Sequence, residues 1–353
     1  MDDDPVGQEA AKKFSQKLGQ GRCLVVGNKR ELLEDGQSLP KDANDALKMP
    51  NGKEYITSIL ENAARIPHSR IVGFEDLRNE ILNEILNPDT IQGVKSVSLP
   101  RLNDIVKGHR RGELTVLTGP TGSGKTTLLS QLSLDYCMQG VNTLWGSFEI
   151  KNSRLAKKML FQHAAGVHGL EVTAENFDAV ADRFEELPLR FLRFHGSSEV
   201  DEVLDAMDYA IYAHDVEHIV LDNLQFMLSG QGRGYERFQQ QDDSIEKFRK
   251  FATQKNIHVT LVIHPRKEAD NEPLGMQSVF GGAKATQEAD NIFILQMENK
   301  SKYLEIKKNR FDGELGRVYL RFDPASQSFV SRSQAEVDLL KQADAQERPK
   351  RFN

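Results

Sequence analysis

The sequence has few cysteines, no long apolar run and no excess of basic residues, and each shortage narrows the classes of protein it can encode. Two of its 353 residues are cysteines, Cys23 and Cys137, so a disulfide framework is not expected and a reducing compartment is favoured. No apolar stretch approaches the roughly 20 residues that cross a bilayer, which argues against a membrane-spanning protein. Lysine and arginine total 46 against 52 acidic residues, so any contact with nucleic acid must come from a local basic stripe.

Apart from these shortages, the length and composition are typical of a globular protein with one large domain and a smaller appendage. Hydrophobic residues make up 39% and charged residues 28% of the chain. The amino terminus reads Met-Asp-Asp-Asp-Pro, which is acidic where a signal or transit peptide would be basic. For a protein of an organelle, we therefore expect the targeting segment to lie outside this sequence. The stretch 333–353 is charged and poor in large apolar residues, and it is predicted to be disordered.

From Gly112 onward, short apolar segments alternate with patterns typical of helices. The segments predicted as strands are Glu113–Gly119, Asn142–Ile150, Leu189–His195, His218–Phe226, His258–Pro265 and Asn291–Gln296. Such alternation predicts an α/β fold with a largely parallel sheet and helices on both faces. Two more strands, Tyr303–Arg310 and Arg317–Asp323, are separated by a glycine-containing turn and predict an antiparallel hairpin at the edge of the sheet.

Upstream of this region, apolar residues at helical spacing predict an amphipathic helix over Phe74–Leu86, within a linker that we place at 71–100. The pattern leaves two interpretations open. The helix could be a tether that docks its apolar face on another surface, or it could pack on its own domain.

A complete P-loop follows the first of the predicted strands. The segment Gly119-Pro-Thr-Gly-Ser-Gly-Lys125-Thr126 lies between an apolar strand and a helical pattern, which is the context that this motif requires. Its glycines let backbone N–H groups close around phosphates at the positive end of a helix. We expect Lys125 to be exposed in the loop and to reach the β- and γ-phosphates, and Thr126 to hold Mg²⁺. The predicted nucleotide-binding residues are Gly119, Pro120, Thr121, Gly122, Ser123, Gly124, Lys125, Thr126, Thr127 and Asp222.

Two acidic residues at predicted strand ends complete this site. Asp222 ends the apolar run His218-Ile-Val-Leu, the pattern of a Walker B motif, and is expected to bind Mg²⁺ together with Thr126. Hydrolysis of a nucleotide also needs a base that orients water, and Glu149 is the candidate because it ends the second strand. The alternative for Glu149 is an ordinary surface carboxylate at a strand end.

Five segments together carry a family resemblance. They are Gly108–Thr126, Gly140–Glu149, Asp222–Met227, His258–Lys267 and Lys307–Gly313. On these segments the chain, from about Phe74 to Ser331, resembles the ring-shaped replicative DNA helicases, which include the phage primase-helicase and the bacterial replicative helicase. Within that family the resemblance is greatest to the Twinkle-type helicases of mitochondria.

The resemblance implies a role for several residues. Glu149 would be the catalytic glutamate, and His264 would be the polar sensor that reports the state of the γ-phosphate. Arg310, with Lys308, would be the arginine finger offered to the ATP of the neighbouring subunit. Three residues would contact DNA phosphates in loops that face a central channel, namely Arg266, Lys267 and Arg233. The alternatives are a hydrogen-bonded histidine, a basic strand edge paired with acids, and solvated loops.

The resemblance also implies the fold and the activity. Residues 101–332 would form a RecA-like helicase domain, and residues 1–70 resemble an incomplete toprim fold without primase activity. The implied function is ATP-dependent 5′→3′ unwinding of DNA at the mitochondrial replication fork, with ATP or another NTP and Mg²⁺. The chain would act as a homohexamer or heptamer ring on single-stranded DNA in the matrix nucleoid, with a replicative polymerase and a single-strand-binding protein as partners. The alternatives are a RecA-type recombinase, another ssDNA-dependent ATPase without unwinding, and a nucleoid scaffold protein.

Overall fold

The chain divides after Asn87 into two units, 1–87 and 88–353. This boundary lies inside the predicted linker of 71–100. The computed structural model describes residues 5–19, 22–26, 40–64, 71–87, 92–194, 196–229, 235–265, 273–279, 282–298 and 301–347. None of the helices in these ranges is long and apolar enough to cross a membrane.

The first unit contains four described helices, α1 (Pro5–Leu18), α2 (Ala43–Leu47), α3 (Gly52–Glu61) and α4 (Phe74–Leu86). Its described core is small and consists of Ala46, Tyr55 and Ile59. Val25 and Ala64 form an isolated antiparallel bridge. Helix α4 begins and ends where the sequence predicts and has no buried residue. Its apolar side chains, among them Ile85 at 70% exposure, are therefore free to contact another surface.

The second unit is built on one sheet of nine strands in the order β3-β2-β4-β5-β1-β6-β7-β8-β9. The strands are β1 (Leu114–Thr118), β2 (Thr143–Ser147), β3 (Leu189–Phe191), β4 (His218–Asp222), β5 (His258–Val262), β6 (Asn291–Glu298), β7 (Ser301–Asn309), β8 (Gly316–Asp323) and β9 (Ser328–Ser331). Strands β1 to β6 pair in parallel, and β6 to β9 pair antiparallel. The predicted α/β class with a mainly parallel sheet is confirmed.

Helices cover both faces of this sheet. They are α5 (Pro100–Val106), α6 (Lys125–Met138), α7 (Asn152–His168), α8 (Phe177–Glu185), α9 (Val200–His214), α10 (Leu224–Met227), α11 (Tyr235–Lys255), α12 (Gly282–Glu288) and α13 (Gln334–Glu347). Successive strand residues therefore enter two different cores, with Leu221 in one and Val220 in the other. Every residue of β1, β2, β4 and β5 is buried, as expected for parallel strands with helices on both sides.

Two predicted segments differ from the structure for identifiable local reasons. The strand predicted to run to Phe226 ends at Asp222, because Asn223 caps helix α10 by accepting a hydrogen bond from Phe226 N at 2.9 Å. In the tail predicted as disordered, residues Gln334–Glu347 form α13, which begins with a capping box. Ser333 Oγ accepts from Glu336 N at 3.2 Å, while Glu336 Oε2 accepts from Ser333 N at 2.7 Å.

Three histidines are buried together where β4 and β5 begin, at the amino edge of the parallel strands. The ring centroid of His109 lies 3.7 Å from that of His258 and 4.2 Å from that of His218. Burial lowers the pKa of all three, and that of His258 to about 4. Within the described residues, His109 Nε2 and His218 Nδ1 have no hydrogen-bond partner. The three rings are therefore neutral at pH 7.

Acid should destabilise this fold through the three histidines. Each has a lower pKa in the folded chain than the unfolded value of about 6.5, so its contribution is fully present above that pH and is lost as the pH falls toward the folded pKa. The free energy of unfolding should decrease by about 1.4 kcal/mol per pH unit for each histidine that titrates. His109→Phe keeps a ring in the stack and removes one titrating group. The slope should therefore fall by about 1.4 kcal/mol per pH unit, as measured by urea unfolding at several pH values.

The control is Phe177→Leu, a partly exposed aromatic residue of α8 without an ionisable group, which should leave the slope unchanged. A slope that is the same in His109→Phe and in the wild type would show that the buried histidines do not govern the acid sensitivity.

Candidate nucleotide-binding site

The P-loop has a backbone that only glycine adopts without strain at three of its positions. Gly119 has φ 156°, Gly122 has φ 76° and Gly124 has φ 101°. A Cβ at Gly119 would lie 2.2 Å from Leu295 O, and one at Gly124 would lie 2.8 Å from Phe329 Cζ. The neighbouring strands β6 and β9 therefore approach the loop so closely that Gly119 and Gly124 are required by space as well as by conformation.

Lys125 is the first residue of α6 and is buried, with 7% exposure, which corrects the expectation of an exposed loop lysine. Its Nζ donates to Gly119 O at 2.7 Å and to Pro120 O at 3.0 Å, so the side chain lies across the loop. Burial lowers the pKa of Lys125, and the carboxylates of Asp222 and Glu149 oppose that shift. The ammonium therefore interacts electrostatically with the carboxylates of both Asp222 and Glu149.

Thr126 and Asp222 are brought together as predicted. Thr126 Oγ1 donates to Asp222 Oδ2 at 2.6 Å. Burial raises the pKa of Asp222 to about 6, and the hydrogen bond from Thr126 opposes that rise. Hydroxyl and carboxylate oxygens are the ligands that Mg²⁺ prefers, and a nearby cation would favour the charged carboxylate. In the same loop, Ser123 Oγ is buried with no partner among the described residues, so the loop fits an anionic ligand with a Mg²⁺ ion beside it.

Glu149 and His264 meet through a residue that the sequence did not single out. Asn223 Nδ2 lies 2.7 Å from Glu149 Oε2 and 2.7 Å from His264 Nε2, while the last two atoms are 3.8 Å apart. The backbone N–H of His264 donates to Gln225 Oε1 at 3.0 Å. Burial lowers the pKa of His264, and Lys125 lowers it further against the opposing effect of Glu149. These three side chains form a polar triangle beside the P-loop.

A second unpredicted residue lies on the other side of the loop. Lys158, on α7, donates from Nζ to Thr127 Oγ1 at 2.6 Å. Burial lowers its pKa, and the charge of Asp222 opposes that shift. Asn223 could have been found in the sequence because it directly follows Asp222 at the same edge of the sheet. Lys158 gave no such signal, since a lysine on a helix is usually solvated.

The structure does not bring Arg310 and Lys308 to this P-loop. Asn291 pairs with Thr115 at the start of β1 and with Asn309 at the end of β7, so Arg310 follows at the amino edge of the parallel strands. Its guanidinium donates to Asp290 Oδ1 at 3.0 Å and to Gln287 O at 2.8 Å. Lys308 Nζ donates to Thr286 O at 2.7 Å. The P-loop lies at the opposite, carboxyl edge.

The three residues predicted to bind DNA, Arg266, Lys267 and Arg233, lie outside the described residues, so that assignment stays a prediction. Within the ranges that the structure covers, no group of three or more histidine, cysteine or acidic residues could hold a metal ion by itself. A bound Mg²⁺ would therefore depend on Thr126 and Asp222 together with oxygens of a nucleotide.

Sequence comparison places this site in a known family. The model of the AAA domain family matches residues 83–270. The chain is 23% identical over 346 residues to the DNA helicase/primase of Enterobacteria phage T3, a match that covers 90% of the chain and 57% of the phage protein. It is 21% identical over 332 residues to the replicative DNA helicase DnaB of Mycoplasma genitalium, covering 83% of the chain and 69% of that protein. The chain thus spans little more than half of the phage relative.

Solved structures share the fold. The ATPase domain of G40P superposes with a TM-score of 0.64 at 17% identity, covering 74% of this chain and all of that domain. A DnaB-like replicative helicase, solved in a study of its interactions with primase, superposes with a TM-score of 0.60 at 14% identity, covering 92% of this chain and 78% of that one. These likenesses confirm the RecA-like fold that was predicted. The chain belongs to the AAA domain family and is related in sequence and fold to DnaB-like replicative helicases.

Proposed function

We propose that this chain is a helicase that uses ATP hydrolysis to unwind DNA. The observation that carries the proposal is the arrangement of the P-loop, the Thr126–Asp222 pair and the polar triangle of Glu149, Asn223 and His264 at one edge of the sheet. Two relatives are named as a DNA helicase/primase and a replicative DNA helicase, and both support this choice among ATP-driven functions.

In the proposed reaction the P-loop binds the phosphates of ATP. Lys125 supplies positive charge at the loop, and its backbone neighbours supply N–H donors. Thr126 and Asp222 would hold Mg²⁺, which when bound neutralises charge on the phosphate oxygens. A cation beside the carboxylate would lower the raised pKa of Asp222 and so favour its charged form.

The polar triangle orients the attacking water. Glu149 is partly exposed, with 42% of its side chain accessible, and its carboxylate can accept a proton from water. The amide of Asn223 holds one carboxylate oxygen and leaves the other free for that water. His264 lies on the same amide and is close enough to Lys125 to respond to charge at the phosphates, which supports the sensor role.

The position of Arg310 supports a ring of subunits. Arg310 lies at the sheet edge opposite its own P-loop and is paired there with the buried Asp290, so its own site is out of reach, which supports a role at the site of another copy. Helix α4 has an apolar face and no buried residue in the described structure, which suits docking on a neighbour. We propose a homohexamer or heptamer in which each Arg310 completes the next subunit's site.

The finer parts of the proposal follow the resemblance to Twinkle. They are 5′→3′ polarity, a place at the mitochondrial replication fork and in the matrix nucleoid, and a replicative polymerase and single-strand-binding protein as partners. In this proposal Arg266, Lys267 and Arg233 contact the phosphates of single-stranded DNA in the channel, which makes binding indifferent to sequence.

Unwinding of a forked DNA duplex by the purified chain with ATP and Mg²⁺ is the direct test. A fluorescently labelled strand should be released by the wild type, from forks of unrelated sequence alike. Lys125→Ala should release none, because the lysine that neutralises phosphate charge is gone. Hydrolysis that is stimulated by single-stranded DNA without strand release would contradict the helicase and favour an ssDNA-dependent ATPase.

Asn223→Ala should slow hydrolysis more than it weakens nucleotide binding. Loss of the amide frees Glu149 and His264 to move, and misplacement of a catalytic group by about 1 Å can cost about 10²-fold in rate. Steady-state ATPase assays should show a much lower kcat with a KM close to that of the wild type. Gln225→Ala, which removes the side-chain hydrogen bonds to the His264 backbone, is the control and should lose less. An equal loss of kcat in both variants would mean that the backbone conformation at His264 matters and that the Asn223 amide does not.

Mixing two inactive variants tests whether Arg310 acts on a neighbour. Arg310→Ala lacks the donated guanidinium and Glu149→Ala lacks its own base, so each alone should be inactive. In mixed rings, some interfaces pair an intact Glu149 site with an intact Arg310, and part of the ATPase activity should return. Mixed rings that remain inactive would exclude a finger acting between subunits.

A matched control separates this role from simple ion pairing. Arg249 contacts the same Asp290 carboxylate, at 3.2 Å, without lying at the end of β7. Arg249→Ala should therefore keep most of its hydrolysis, while Arg310→Ala should lose about 10³-fold or more.

A further inference from the structure

The antiparallel strands β7 and β9 hold the P-loop from its outer side. Lys302, on β7, donates from Nζ to Ser123 O at 2.6 Å. On β9 the ring of Phe329 lies against Gly124, where it would meet a Cβ at 2.8 Å. Gln131, on α6, pairs with both backbone groups of Phe329, at 2.7 and 2.8 Å. Strand β9 is thereby fastened to the helix that begins in the P-loop.

The ammonium of Lys302 is partly buried and has no carboxylate partner among the residues that the structure describes. Besides Ser123 O, it faces the ring of Phe329, 5.1 Å from the centroid. Burial lowers its pKa. Burying a cation without a counter-ion is unfavourable, so its position needs another explanation. The one hydrogen bond shown for the ammonium goes to the backbone of the phosphate-binding loop.

The geometry of one peptide group connects that hydrogen bond to phosphate binding. Ser123 C=O and Gly124 N–H belong to the same planar trans peptide, so they point in opposite directions. An ammonium on the oxygen fixes this orientation and aims the N–H away from β7. It also polarises the peptide, which makes the N–H a stronger donor. Backbone N–H groups of a P-loop are the donors that hold the α- and β-phosphates.

We propose that Lys302 is a positioning residue for the nucleotide phosphates and that it acts through the Ser123–Gly124 peptide. The inference rests on the nucleotide site of the proposed function and adds to it a residue from a distant strand. Lys302 touches no reacting atom in this arrangement. Lys302 therefore raises the affinity for any nucleotide that carries a β-phosphate. It does not change the rate of bond cleavage.

The test measures binding of ADP and of ATP, each with Mg²⁺, by isothermal titration calorimetry. Lys302→Met should weaken both by about tenfold, because a charge-assisted hydrogen bond to the loop is lost. At saturating ATP its kcat should stay within about twofold of the wild type. Lys302→Arg keeps a charged donor and should recover most of the affinity. Lys307→Met is the matched control, since Lys307 lies on the same strand but pairs with Glu305 at 3.0 Å.

Several results would overturn the proposal. Wild-type affinity in Lys302→Met, or an equal loss in Lys307→Met, would remove the role of Lys302. A loss for ATP without a loss for ADP would place the ammonium on the γ-phosphate and contradict action through the peptide. If Lys302→Met does not fold, Lys302→Gln replaces it, and affinities equal to those of Lys302→Arg would contradict the need for charge. A wild-type chain that binds neither nucleotide would instead contradict the proposed function, so the two failures are distinguishable.

Discussion

The parallel register of β2, β4 and β5 is the constraint on which the site depends. Ser147, at the end of β2, pairs with Asp222 at the end of β4, and β5 ends beside them. Glu149, Asn223 and His264 follow these strand ends within two residues, so their side chains converge. Because side chains alternate between the faces of a sheet, a slip of one residue in any pairing would move a member of the triangle to the other side. The hydrophobic residues that fix the register therefore also bring the three side chains of the polar triangle together.

The same sheet separates the two halves of the proposed site. The P-loop follows the carboxyl end of β1, and Arg310 lies beside its amino end, where Asp290 binds both Arg310 and the backbone N–H of Leu114. Five strand residues at about 3.3 Å each separate the two ends by roughly 16 Å. A buried strand cannot shorten, so no side-chain movement brings this arginine to its own P-loop. Head-to-tail contacts between copies place unlike surfaces together, which is the arrangement that the proposed ring requires.

Sequence reasoning succeeded where a short motif marks each partner by itself. Thr126 ends the P-loop motif and Asp222 ends a Walker B pattern, so the pair could be predicted although 96 residues separate its members. Reasoning failed where no motif marks the residue, since Lys158 and Lys302 reach the loop from elements that no motif links to it. Asn223 was missed although it directly follows Asp222, because the amide meets its two partners only once the strands are paired. The prediction of disorder at α13 was wrong for a different reason. The Ser-x-x-Glu capping box was present in the sequence, but the prediction followed the charged composition of the tail instead.

The hydrogen bonds of Asn223 also fix the charge state of the triangle. Its Oδ1 accepts from Phe226 N, so its Nδ2 must face both Glu149 and His264. An N–H donor at 2.7 Å requires His264 Nε2 to be an acceptor, which holds only for the neutral ring. The positive charge of Lys125 favours that neutral form, and phosphate charge bound at Lys125 would offset this effect and raise the pKa of His264. A protonated ring could no longer accept a hydrogen bond from Asn223. The charge at the phosphates would therefore affect the hydrogen bond that positions Glu149, because the same Asn223 amide bonds to both side chains.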